Sequence, residues 1–178
     1  MEEDKKLVEK FLNGDETAFN LLVRKYQKKI YWFARRMLGN HSDADEVTQE
    51  VLIAMYNKLH TFKFESSLST WIYAVTNSKT LNLIRKQKVK EFFSLENLFD
   101  KRNNEDIIKD FEHKEKLEMV EKALQQLPAK QREVFVLRNF DGLSYKEISE
   151  ITGKALGTLK ANYFFALKKI TEIIENEE

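Results

Sequence analysis

Two stretches of this chain hold residue types suited to contact with nucleic acid. Between Lys63 and Arg85, aromatic and basic side chains interleave: Phe64, Trp71 and Tyr73 stand beside Lys63, Lys79 and Arg85. Stacking on an aromatic ring stabilises an unpaired base by about 1–3 kcal/mol. Drawing a base out of a duplex costs a few kcal/mol, so one or two captured bases offset local opening. Trp71 and Tyr73 also suit a helix core, and Trp71 fits the core better than direct DNA contact. The second stretch is 156–174, where Leu159, Tyr163, Ala166 and Ile170 recur at helical spacing. That stripe turns Lys160, Ala161, Phe164, Phe165 and Lys168 outward, with Asn162 at the side. Lys160 and Lys168 can meet phosphates or a guanine edge, and Phe164 can meet thymine methyl groups.

Nothing comparable points to catalysis. His41, His60 and His113 are isolated, and no nucleophile–base pair or phosphate-binding glycine loop is present. Asp45 and Glu46 are adjacent, so on a helix they face different sides and do not form an acid–base dyad. Cysteine is absent, which excludes disulfides, iron–sulfur clusters and zinc–thiolate sites. No catalytic residue, metal, cofactor or small-molecule substrate is expected.

The elements that must position these residues read as helices throughout. Five Gly and one Pro in 178 residues, with 42% hydrophobic and 33% charged residues, favour an all-α protein with short turns. The division expected is two small helical domains, 1–90 and 114–178, joined by a linker over 91–113. Net charge is only +1, but its distribution is uneven. Residues 1–90 hold 16 basic against 11 acidic side chains, 91–120 hold 5 against 9, and 121–178 hold 9 of each. A basic first half, acidic middle and neutral end suggest separate tasks, although most single charges suit solvated helix faces.

A first helix is expected over 2–12, with Leu7, Val8 and Phe11 on one face; Gly14 ends it. Asp15 can cap a second running to about 38. Ser42 is expected to cap a third over 43–59, whose first turn holds Asp43, Asp45 and Glu46, acids that suit the helix dipole. After a break at 61–69, a fourth over 70–88 ends in Arg85, Lys86, Lys88 and Lys90. The linker carries Phe92, Phe93, Leu95, Leu98 and Phe99 in one half and acidic residues in the other. Beyond it, Pro128 suits the first position of a helix that ends at Asp141-Gly142. Ser144 and Glu147 form a capping box for a short helix, Gly153 turns the chain, and a longer helix follows to about 174. Short helix, glycine turn and long helix make a helix-turn-helix, and equally an ordinary helical hairpin; this segment alone leaves both open. The charged start, Met1 to Lys6, precedes no apolar run, so a cytosolic chain is expected.

Several segments together resemble one family. "DADEVTQEVLI" (43–53) looks like the acidic helix by which sigma factors hold RNA polymerase, and "SSLSTWIY" (66–73) resembles their promoter-melting segment. "ALQQLPAKQREVFVLRNFDGLSYKEISEITG" (123–153) and "GTLKANYFFALKKI" (157–170) are similar to the region that reads the upstream promoter element and to its recognition helix. These segments come in the family's order, and the chain lacks room for the extra domains of housekeeping members. The extracytoplasmic-function group of the sigma-70 family therefore fits best.

The resemblance implies an alternative sigma factor whose partners are core RNA polymerase, through its β′ clamp helices and β flap, promoter DNA and an anti-sigma factor, which could hold it at the membrane face. Asp45, Glu46, Gln49 and Glu50 match the clamp-binding surface. Lys63, Phe64, Glu65, Ser66 and Ser67 match a loop that receives a flipped base of the −10 element. Ser78, Asn82 and Arg85 match DNA-facing positions on the following helix. Lys160, Ala161, Asn162, Phe164, Phe165 and Lys168 fall on the face that approaches the −35 element. The sequence departs from the family's usual residues at Ala74, Ser78, Asn82, Ala155, Ala161, Asn162, Phe165 and Leu167, so a promoter sequence does not carry over. Two other readings stand beside this one: a duplex-binding regulator, against which the acidic helix and melting segment argue, and a protein-binding adaptor, which the neutral end supports.

Overall fold

The computed structural model describes residues 2–94 and 113–177. The described residues hold eight helices and one 3-10 turn joined by short loops, with no strand among them. The first four are α1 (Glu2–Leu12), α2 (Glu16–Leu38), α3 (His41–Lys58) and α4 (Leu68–Ser94). The last four are α5 (His113–Gln125), α6 (Ala129–Asn139), α7 (Tyr145–Thr152) and α8 (Leu156–Glu177).

Local chemistry explains most boundaries. Asp15 caps α2 by accepting the Thr17 N–H at 3.0 Å, and Gly39 ends it in a left-handed conformation. The cap of α3 differs from expectation: Asn40, not Ser42, accepts the Asp43 N–H at 2.8 Å, so the helix begins at His41. The fourth helix is longer than the expected 70–88. Ser67 accepts the Thr70 N–H at 3.0 Å, drawing the start back to Leu68. No Gly or Pro interrupts it before Ser94, so it enters the stretch read as linker. The remainder, 95–112, with Leu95, Leu98 and Phe99, lies outside the described residues. Pro128 stands one place before its expected position, as the N-cap of α6 at φ −54°. The Ser144–Glu147 capping box is present on α7. The final helix continues past 174 to Glu177.

Two apolar clusters hold these helices. One lies within α1–α4, built on Leu22, Ile30, Val51, Met55 and Leu59. The other runs across both halves: Phe33, Met37 and Tyr73 pack with Leu124, Val134, Leu137, Ile148 and Leu159. Trp71, expected in the core, is only half-buried, and so is Tyr163 in the stripe of α8.

Polar contacts extend this shared cluster. The last turn of α2 has carbonyls without helical partners, as every helix end does. Gln125 donates to the Arg36 carbonyl at 2.9 Å, and Arg132 donates to that of Met37. Gly39 matters here twice over: its φ is +82°, and an added Cβ would meet the Gln125 side chain at 2.7 Å. Glu133 on α6 is completely buried; it accepts from Asn77 of α4 at 2.6 Å and from Lys154. Tyr73 donates to Asp141 at 2.8 Å.

Candidate nucleic-acid and polymerase interface

The loop between the 3-10 turn, Leu59–Thr61, and α4 forms one side of a cleft of about 280 Å³. Phe62, Phe64, Ser66, Ser67 and Leu68 line it from the loop; Glu2, Asp4 and Lys5 line it from α1. Phe64 has φ +58°, a left-handed conformation that a bulky side chain avoids. Its ring is 39% exposed and lies 4.8 Å from that of Phe62. The loop thus gathers Phe64, Ser66 and Ser67, whereas Lys63 and Glu65 are exposed beside the cleft.

The far wall was not foreseen from sequence. Asp4 fixes α1, accepting from Lys25 at 2.7 Å and from Tyr26 at 2.8 Å. Burial, the largest single cause, pushes the Asp4 carboxyl up, but the two hydrogen bonds together with the nearby positive charge of Lys25 outweigh it and leave the group below its ordinary value. Only the three acids at the start of α1, Glu2, Glu3 and Asp4, could have hinted at this, and the partner of Asp4 on α2 is about twenty residues away.

Asp45, Glu46, Gln49 and Glu50 all lie exposed on α3. Gln49 donates to Asp45 at 2.9 Å, and Lys79 of α4 donates to Glu50 at 2.8 Å. The Lys79 bond holds the Glu50 carboxyl below its usual range. This leaves an acidic surface on a helix braced by its neighbour. Ser78, Asn82 and Arg85 are exposed on α4, where Arg85 donates to Asn82 at 2.8 Å. Their neighbour Asn77 points the other way, into Glu133.

On α8, Lys160, Ala161, Phe164, Phe165 and Lys168 are exposed and Asn162 is half-buried. Phe164 and Phe165 are 62% and 54% exposed, with ring centroids 5.7 Å apart, so neither packs internally. The helix follows α7 through Gly153 at φ +69°. The Ser149 hydroxyl donates to the Lys154 carbonyl at 2.7 Å and steadies that turn.

Comparison with known proteins agrees with this architecture. Residues 22–89 match the family model for sigma-70 region 2, and residues 117–170 that for sigma-70 region 4. The chain is 31% identical to the RNA polymerase sigma-H factor of Pseudomonas aeruginosa, over 98% of this chain and 95% of that one. It is 30% identical to the ECF RNA polymerase sigma-E factor of Escherichia coli strain K12, over 97% and 94%. Among solved structures, it superposes on Bartonella quintana RpoE, crystallised with the anti-sigma factor NepR, with a TM-score of 0.74 at 22% identity, covering 90% of this chain and 98% of that one. CnrH, solved with the cytosolic domain of CnrY, gives 0.75 at 20% identity, over 99% of both chains. The chain belongs to the sigma-70 family, in its extracytoplasmic-function group. It is an alternative sigma factor, of a family whose members recognise promoters in transcription initiation and are not in general enzymes.

Proposed function

We propose that this chain binds core RNA polymerase through α3 and reads a promoter with two separate surfaces. Asp45, Glu46, Gln49 and Glu50 bind the β′ clamp helices. The loop 63–67 takes a flipped −10 base against Phe64, while Ser78, Asn82 and Arg85 follow the strand. Lys160, Ala161, Asn162, Phe164, Phe165 and Lys168 enter the major groove at the −35 element, with the domain 114–178 docked on the β flap. The first domain covers 1–90, and 91–113 is the connecting segment. The polymerase does the chemistry, and this subunit supplies affinity and position. It works in the cytoplasm, under an anti-sigma factor of the kind bound to RpoE in the Bartonella structure.

The observation that carries this reading is Phe64. A left-handed backbone at a phenylalanine costs about 1–3 kcal/mol, and here it leaves the ring half in solvent at the rim of a base-sized cleft. The ring packs against Phe62 and leaves the rest of its surface open to the cleft, which suits a ring waiting for a partner. The test is promoter opening by the reconstituted holoenzyme, followed by permanganate reactivity of unpaired thymines. Phe64→Ala should lower opening by about fivefold or more, since one stacked base contributes about 1–3 kcal/mol, and should leave polymerase binding intact. Unchanged opening would overturn the assignment.

A further inference from the structure

The cleft beside Phe64 has a wall that none of the assigned site residues supplies. Helix α1 contributes Glu2, Asp4 and Lys5 to it. These three differ in what they can still do. Asp4 has both oxygens engaged, one by Lys25 and one by Tyr26. It anchors the helix and is not available to a ligand. Glu2 is almost fully exposed and stands 3.9 Å from Lys6. Lys5 reaches over the loop, with its ammonium 5.6 Å from the centroid of the Phe64 ring. Among the described residues it pairs with Glu9, at 3.9 Å on the same exposed helix face, a pairing that water screens.

Lys5 therefore holds a donor above the ring face on which a base would stack. The ammonium has three N–H donors and no acceptor. A base stacking on that ring face takes the ammonium's place, and the flexible Lys5 side chain is then left at the edge of the base. Cytosine, thymine and guanine each carry a carbonyl oxygen projecting from the ring edge; adenine offers only ring nitrogens, two of them beside its amino group, which repels a cation. We infer that Lys5 is a specificity-determining residue of the −10 pocket, donating to the carbonyl of the flipped base and disfavouring adenine there. The inference rests on the promoter reading of this loop given above. The Asp4 anchor holds α1 against α2 and so keeps the backbone that carries Lys5 beside the loop.

The test uses holoenzyme reconstituted with wild-type chain, Lys5→Ala or Phe64→Ala. Each selects opened complexes from fork-junction DNA randomised across the −10 element. The expected result is one position at which wild type disfavours adenine and Lys5→Ala relaxes that bias by about threefold to tenfold, the range of one hydrogen bond. Phe64→Ala should alter the base profile at the same position. An abasic nucleotide placed there should abolish the difference between wild type and Lys5→Ala. Two results overturn the inference and leave the pocket standing. One is a Lys5→Ala profile that superimposes on wild type while that of Phe64→Ala changes. The other is an equal loss for Lys5→Ala on every sequence, abasic included, which marks a phosphate contact. If Phe64→Ala also matches wild type, the pocket itself fails and the Lys5 role falls with it.

Discussion

Glu133 and Asp141 are carboxylates held at the seam between the two halves, and they behave differently. Glu133 is completely buried but has Lys154 and the Asn77 amide on its oxygens. Removing one member of a buried charge pair costs about 3–5 kcal/mol. Glu133→Ala should destabilise the chain by about 3 kcal/mol in urea unfolding. Asp141 is less well served: Oδ1 accepts from Tyr73, while Oδ2 is buried without a partner. Burial, the largest cause, pushes its carboxyl above the ordinary 3.8; the Tyr73 hydrogen bond and Arg36 oppose this without cancelling it. A raised folded-state value means the folded chain holds the proton more tightly. The stabilising contribution is present below 3.8 and lost as pH rises through the folded-state value. Asp141→Asn keeps an acceptor for Tyr73 and removes the charge. Its Tm should exceed wild type at pH 7, with the gain shrinking towards pH 4. A Tm below wild type at pH 7 would show that the charge is needed for Arg36.

Among the elements, α7 is the shortest helix, with eight residues, and depends on its ends. Ser144→Ala removes a cap worth about 1 kcal/mol and should lower stability by that amount in denaturant titration. Helix α1 depends on Asp4. Because that carboxyl lies below its ordinary value in the folded chain, its contribution is present above about pH 4 and lost as pH falls through the folded-state value. Amide exchange in α1 should accelerate relative to α2 below that point. Helix type and order were legible in the sequence, because single stripes such as that of α8, and local caps such as Asp15 and the Ser144–Glu147 pair, act within a few residues. The start of α3 was not, since Asn40 and Ser42 are both good caps and the choice turns on backbone geometry. The extent of α4 was obscured for a different reason. It packs on α2 and α3 on one side and α6 and α7 on another, burying Thr76, Asn77 and Thr80, so no clean apolar stripe marks it. The loop at 63–67 could be singled out from its neighbours, but its partner wall on α1 could not. Asp4 with Lys25 and Asn77 with Glu133 are contacts across 21 and 56 residues, and no local pattern encodes them.

For the whole molecule, the shared cluster of Phe33, Met37 and Tyr73 with the C-terminal helices has a mechanical consequence. A compact chain of this length has a radius of gyration of about 16 Å. Promoter elements 25 base pairs apart are separated by about 85 Å of B-DNA. The docked halves cannot reach both, so under the proposed function the contacts at Asn77–Glu133 and Tyr73–Asp141 break when a promoter is bound. The residues assigned to DNA are exposed in the docked state, save Ser67 and Asn162, which are half-buried, so docking limits their separation rather than hiding them. With no native cysteine, dyes can be placed at Lys58→Cys and Glu172→Cys, both exposed. Energy transfer between them should be high in the free chain and fall once core polymerase and promoter DNA are added. Asn77→Ala should lower it in the free chain. Unchanged transfer on promoter binding would contradict the opening step.

The proposed function depends on the chain engaging polymerase through α3. The most direct measurement is the affinity of the purified chain for bacterial core RNA polymerase, with an Asp45→Ala/Glu46→Ala/Gln49→Ala variant alongside. All three side chains are exposed, so the variant should fold, and its Tm checks that it does. Tight binding by wild type and a loss of at least tenfold in the variant is the predicted result. Failure of the wild-type chain to bind core polymerase, or equal binding by the variant, would contradict the account at its centre.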